Sequence, residues 1–270
     1  MTPPGGLRGG CRASLYVEEA LLALALGAAA GFVATLLGIG GGAIIVPLLV
    51  MAGVDIRRAA PASLVAILGT SLGGLRYLHR RGLVDVKTAL VLETATTTGA
   101  ATGVWLYGLL GERGLTLGFA GALLLSAVGF YLRERRGSEA RGEAYRWPPK
   151  PSRLAAALAA SLGAGILSAM LGIGGGVIKV PVLVLVLGMP IRYAVSTSKL
   201  MVGITAAVGV AGHALKGHID WGLALPLAAG TYVGATASSR VLVRARPRIL
   251  YYIAILYYIA TAAYLIHKAL

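Results

Sequence analysis

The chain has 270 residues, 57% of them hydrophobic and only 13% charged, with a mean hydropathy of +0.79, which excludes an ordinary soluble domain carrying roughly a quarter charged residues. Its net charge of +15 could signal nucleic acid, but the lysines and arginines stand mostly between apolar blocks, as expected of cytoplasmic loops beside lipid, so no nucleic-acid partner is expected. The lone cysteine, Cys11, excludes an internal disulfide and any multi-cysteine metal site.

Residues 1–16, rich in Gly, Pro and Arg, read as a disordered tail. Cys11 follows Gly9-Gly10 without a preceding apolar region, which argues against a secretory or lipoprotein signal. Val17–Leu37 is the first full-length apolar helix. It is broken by Gly38-Ile39-Gly40-Gly41-Gly42, and the following Ala43–Gly53, with Pro47 inside, is too short to span upright. Ala59–Leu78, Thr88–Leu110 and Leu115–Leu132 complete a first half of residues 17–132. Residues 133–153 form a basic linker with seven Lys or Arg residues. The second half, residues 154–270, repeats the plan: Leu154–Leu171, a glycine break, Val177–Gly188, Ala194–Leu215, Trp221–Val243 and Ile249–Ile266.

The repeat is explicit. Between Leu36–Val50 and Met170–Val184, 11 of 15 aligned positions are identical. Gly53 matches Gly188, Ser63 matches Ser198, Gly82 matches Gly217, Asp85 matches Asp220 and Gly99 matches Gly234. The fold expected is an all-α polytopic membrane protein of two homologous repeats, each with four full spans and a short glycine-broken half-helix, about 8–10 transmembrane segments in total. A re-entrant half-helix makes the repeats parallel; a fifth crossing makes them inverted. In the second half, Arg192, Arg244, Arg246 and Arg248 oppose Lys216 and Lys268. Only inverted repeats put those four arginines on the side of the basic linker.

Irregular backbone survives in a membrane only inside protein or beside a watery cavity. Two GIGGG breaks in matched positions therefore point to a central transport site at Gly38, Gly40, Gly41 and Gly42 and at Gly172, Gly174, Gly175 and Gly176. Helices starting after such breaks present N–H groups and a positive dipole end, which suits an anion. The competing reading is close helix packing through small residues. Lys179 and Lys199 stand within spans where the first half has Ile45 and Leu64, and charge there defaults to function, unless each lysine merely snorkels to the interface. Ser63, Ser196, Thr197 and Ser198 are hydroxyls that could donate to anion oxygens or bond their own helical turn. Glu93, opposite Ala228 in the repeat, is the candidate for proton coupling; the alternative is a structural partner for Arg76 or the neighbouring threonines. Arg57 and Arg192 could attract anions at the mouths or start helices at the interface. Asp85 and Asp220 read as N-caps. The four histidines show no ligand spacing, so no metal is expected.

At these residues the sequence resembles the TauE/SafE family of sulfite exporters, also called the four-toluene sulfonate uptake permease (TSUP) family. The resemblance rests on LGIGGGAIIVPLLV and LGIGGGVIKVPVLV, each followed by a polar turn and a Ser-bearing helix start, ASL and STSKL. It covers roughly residues 17 to 267. Pro61-Ala62-Ser63-Leu64 departs from the Ala-Thr-Ser pattern often seen in members. The resemblance implies a prokaryotic cell-membrane permease for sulfur oxyanions or organosulfonates such as sulfite, thiosulfate or sulfoacetate, working without ATP and without a cofactor. The expected partners are a small anionic substrate and the lipid bilayer, with a homo-oligomer compatible with the sequence. A passive anion channel is the alternative. A membrane-embedded enzyme finds no HExxH, GxSxG or pair of intramembrane carboxylates.

Overall fold

The computed structural model describes residues 8–37, 41–54, 56–106, 120–121, 123–124, 127–131, 149–171 and 176–269. Those residues form α1 (Arg8–Leu37), α2 (Gly42–Met51), α3 (Ile56–Arg80), α4 (Val86–Leu106), α5 (Pro151–Leu171), α6 (Gly176–Pro181), α7 (Ile191–Leu215), α8 (Trp221–Arg244) and α9 (Pro247–Ala269), with no strand among them. Residues 127–131 are also helical. The all-helical expectation holds. Most of the expected linker and half of the span at Leu115–Leu132 lie outside the described residues.

Two boundaries differ from the sequence reading. α1 begins at Arg8, inside the expected disordered tail, because extending an existing helix fixes one residue per hydrogen bond. α5 begins at Pro151 rather than Leu154, since proline is preorganised for a first turn. Among the described residues, seven helices have 21–30 residues, long enough for a core of roughly 30 Å. Among the described residues, Ile191–Leu215 is long and apolar enough to cross a membrane on its own composition, and Ala20–Leu36 and Arg248–Tyr264 are shorter apolar stretches.

Element boundaries follow one register in both halves. Leu37 and Leu171 end α1 and α5, Gly42 and Gly176 start α2 and α6, and Ile56 and Ile191 start α3 and α7. Gly53 and Gly188 have φ of 86° and 76°, and Gly82 and Gly217 have 67° and 65°. These are left-handed conformations in which a Cβ is strained. Each half-helix is thus ended, and each following turn closed, by matched glycines. The second half-helix differs in one respect. After Pro181, Val182–Val186 is a π-helix, with Leu187 N–H donating to Val182 O at 3.2 Å. A proline without an N–H at this point removes one rung of the α ladder.

The halves exchange helices. α8 packs on α1 and α3, while α4 packs on α5 and α7. Small residues permit the approach: a Cβ on Gly31 would lie 2.5 Å from Thr231 O, and one on Gly234 2.0 Å from Ala28 O. At the matched crossing, a Cβ on Gly165 would lie 2.1 Å from Thr96 O and one on Gly99 2.1 Å from Leu162 O. Thr231 donates to Ala66 O and Thr236 to Gly73 O, so α8 runs in the same direction as α3. By contrast, α3 and α7 run antiparallel. Leu64 packs where a Gly209 Cβ would be, Ser71 faces Gly203, and Gly74 faces Lys199.

Candidate functional site

The glycine breaks set the stage. Gly38, Gly40, Gly172, Gly174 and Gly175 lie outside the described residues. Gly41 has φ +95° and its carbonyl accepts from Ile44 and Ile45 N–H at 2.9 and 2.8 Å, starting α2. A Cβ there would lie 3.3 Å from Thr70 Cγ2, so this break sits beside the middle of α3. Gly42 and Gly176 are both buried.

Lys179, in the first turns of α6, is only 1% exposed. Its Nζ donates to Glu93 Oε2 at 3.0 Å, Glu93 Oε1 at 3.3 Å and Thr205 Oγ1 at 2.7 Å. The Thr205 hydroxyl in turn donates to Glu93 Oε1. Three elements, α6, α4 and α7, therefore meet in a closed triangle around one buried ion pair. Snorkelling to an interface does not occur. Nor is Arg76 the partner of Glu93, because it is exposed. The neighbouring threonines are not partners either: Thr94, Thr96 and Thr98 donate to Val91 O, Leu92 O and Thr94 O.

Lys199 on α7 is as deeply buried, at 2%, but its surroundings are different. Its Nζ donates to Thr70 O at 3.1 Å and Ser239 Oγ at 3.3 Å, where α7 crosses α3 and α8. Gly74 makes the room, since a Cβ there would lie 2.3 Å from Nζ. Among the described residues no carboxylate stands within ion-pair distance of Lys199. An ammonium has three donors, and described groups take two.

The expected hydroxyl cluster is buried but turned to other tasks. Ser196 donates to Arg192 O and Ser198 to Val195 O. Thr197 Oγ1 accepts from Asp85 N–H at 3.0 Å, pinning the start of α4 to α7. Ser63 is buried in α3 beside Leu64, at the Gly209 end of the α3–α7 crossing. Lys199 is at the Gly74 end, roughly ten residues or 15 Å of helix away. The structure thus does not bring Ser63 and Lys199 together. Thr205 and Ser239, both touching a buried lysine, were not singled out by the sequence. A usable signal for Thr205 is its match with Thr70 in the other half.

Both matched aspartates cap helices. Asp85 accepts from Thr88 N–H and Asp220 from Gly222 and Leu223 N–H. Asp220 also receives Arg58 Nε at 3.1 Å. The Arg58 guanidinium holds its carboxyl below the usual range, aided by those N–H groups and opposed by partial burial. Arg192 donates to Ala245 O, holding the end of α8; the Arg57 side chain lies outside the described residues. No group of three metal-ligating side chains occurs among the described residues.

A duplicated glycine break with two buried lysines narrows the family question. The sequence profile of the sulfite exporter TauE/SafE family matches residues 23–265. The chain belongs to the TauE/SafE family. Similar proteins include the probable membrane transporter protein YunE of Bacillus subtilis (strain 168), 26% identical over 242 residues, covering 82% of this chain and 88% of that protein. A probable membrane transporter protein of Xylella fastidiosa (strain 9a5c) is 27% identical over 222 residues, covering 82% of this chain and 84% of its own length. The probable membrane transporter protein YdhB of Bacillus subtilis is 27% identical over 211 residues, covering 78% of this chain and 85% of that protein. No solved structure matches this TauE/SafE chain. Membership places it among membrane transporters, and the match takes in both half-helices and both buried lysines.

Proposed function

We propose that this chain is a multi-pass secondary transporter of the prokaryotic cell membrane for small sulfur-containing oxyanions or organosulfonates, such as sulfite, thiosulfate or sulfoacetate. Residues 17–132 and 154–270 act as two inverted repeats joined by the basic linker. The antiparallel course of α3 and its counterpart α7 supports that arrangement. One repeat rocks against the other about the two glycine breaks, exposing a central site to each side in turn.

Lys199 is the observation that carries the reading. A buried cation without a counter-charge costs several kcal/mol unless an anion joins it. Lys199 stands where α3, α7 and α8 meet, with one donor left by the described residues and Ser239 beside it. An oxyanion bound there gains a charge-assisted hydrogen bond and cancels the charge. The family description names sulfite, which fits a small oxygen-rich anion.

The test is uptake of radiolabelled sulfite or thiosulfate into proteoliposomes, with sulfate and chloride as competitors. Saturable uptake that is competed by sulfonates and lost in Lys199→Ala is the expected result. Flux that never saturates makes the protein a channel. Uptake retained in Lys199→Ala moves the site elsewhere, and no uptake of any sulfur oxyanion removes the substrate class.

A further inference from the structure

We propose that Glu93 is a proton site and Lys179 a second anion site of this carrier, and that the two loads exchange in one step. A proton from the aqueous side binds a Glu93 carboxylate oxygen, and a negative charge of the substrate replaces that carboxylate at the Lys179 ammonium. The inference rests on anion transport as proposed above and adds its driving force.

The argument is one of charge. In the resting site Glu93 and Lys179 are both buried and sum to zero. An anion arriving alone leaves a net negative charge, and a proton arriving alone leaves a net positive one. Either half-loaded state buries an uncompensated charge, which a low-dielectric interior penalises heavily. Counted at the Glu93–Lys179 pair, only the empty and the doubly loaded states are neutral, so the pair favours these two for reorientation. A dianion carries one further negative charge, which offsets in sum the positive charge of Lys199.

Geometry supplies the means. Thr205 accepts from Lys179 and donates to Glu93. A hydroxyl can reverse that sense, so protonated Glu93 can donate to the same oxygen and keep a partner after Lys179 leaves. Lys179 lies on α6, immediately after the glycine break, so exchanging its partner acts on the segment that the mechanism requires to move. No other charge competes for Glu93 among the described residues. α5 carries no titratable side chain between Leu154 and Leu171, Lys199 on α7 is aimed at α3 and α8, and Lys87 on α4 is nearly two turns away. The matched position in the other half, Ile45 on α2 and Ala228 on α8, has no charge at all. One exchange site per chain gives one proton per cycle.

Thiosulfate, fully ionised across the working pH range, is the probe, with the full chain in liposomes and the membrane potential clamped. Acidifying the outside should drive accumulation of about tenfold per unit of pH difference at one proton per anion, and internal pH should fall as thiosulfate enters. Glu93→Gln should collapse accumulation to simple equilibration. Because one unpaired lysine can prevent folding, the double variant Glu93→Gln/Lys179→Met removes both charges and should move no protons. Wild-type thiosulfate counterflow with no proton movement overturns the coupling and leaves transport standing. Proton-driven accumulation surviving in Glu93→Gln overturns it too. Absence of thiosulfate counterflow in the wild type defeats the transport reading for this anion, and the coupling falls with it.

Discussion

Lys179 and Lys199 are equally buried, yet the protein answers the first with a carboxylate and the second with a carbonyl and a hydroxyl. A cation cancelled from within ties elements together: Lys179 holds α6 to α4 and α7. A cation met only by dipoles keeps most of its field for whatever enters next. The same side chain thus closes an ion pair in one place and keeps an uncancelled charge in the other, and the difference lies in the neighbouring helices.

Breaking the pair should give the largest effect. Glu93→Ala leaves Lys179 stranded and should lower stability by about 3–5 kcal/mol, whereas the double variant Glu93→Leu/Lys179→Met should lie near the wild type. Unfolding in detergent, run as a double-mutant cycle, measures both. Lys199 should behave in the opposite sense. Lys199→Met removes a charge without a partner and should raise stability by about 1–3 kcal/mol. Added thiosulfate should stabilise the wild type, by about 2.7 kcal/mol at a hundredfold excess over its dissociation constant, and leave Lys199→Met unmoved. A Lys199→Met protein that is less stable than wild type would mean that Lys199 is also structural.

The glycines sharpen the comparison between contact and space. Gly234→Ala or Gly165→Ala forces a methyl into backbone about 2 Å away and should cost about 1–3 kcal/mol. Gly212→Ala, on α7 with nothing within 4 Å of its Cβ, should gain up to about 1 kcal/mol in helix propensity. Smallest is the exposed pair of Arg58 and Asp220. Because the folded carboxyl titrates below its unfolded value, its contribution is present above the unfolded pKa of about 3.9 and is lost as pH falls through the folded pKa. Asp220→Asn should therefore trail the wild type by less than about 1 kcal/mol near neutral pH, with the gap closing in acid. An unchanged gap in an acid titration would mean that ionisation of Asp220 contributes nothing to the difference.

Local chemistry was legible in the sequence because it is written within a few residues. The glycine breaks, the aspartate caps and the matched turns at Gly53, Gly82, Gly188 and Gly217 all belong to this class. Pairings across the chain were not. Glu93 and Lys179 are 86 residues apart, and each stands opposite an uncharged residue in the repeat, so internal symmetry gave no hint that they meet. The assignment of Ser63 and Lys199 to one site failed for a related reason. Repeat-matched residues on antiparallel helices meet only near the crossing and stand apart on either side of it. The π-helix after Pro181 was hidden because the matched Pro47 stands inside a helix assigned as α throughout.

The exchanged helices have a consequence for how the protein is made. Phe32 O receives its hydrogen bond from Ser238, 206 residues later, and the backbone contacts of Gly27 and Gly31 are with α8 as well. The flank of α1 and α3 that α8 covers is therefore filled only once residues 221–244 have been made. A chain severed in the basic linker should yield fragments that are degraded when made singly and rescued when made together. On this packing each half completes a buried face of the other, so neither half holds its own core alone.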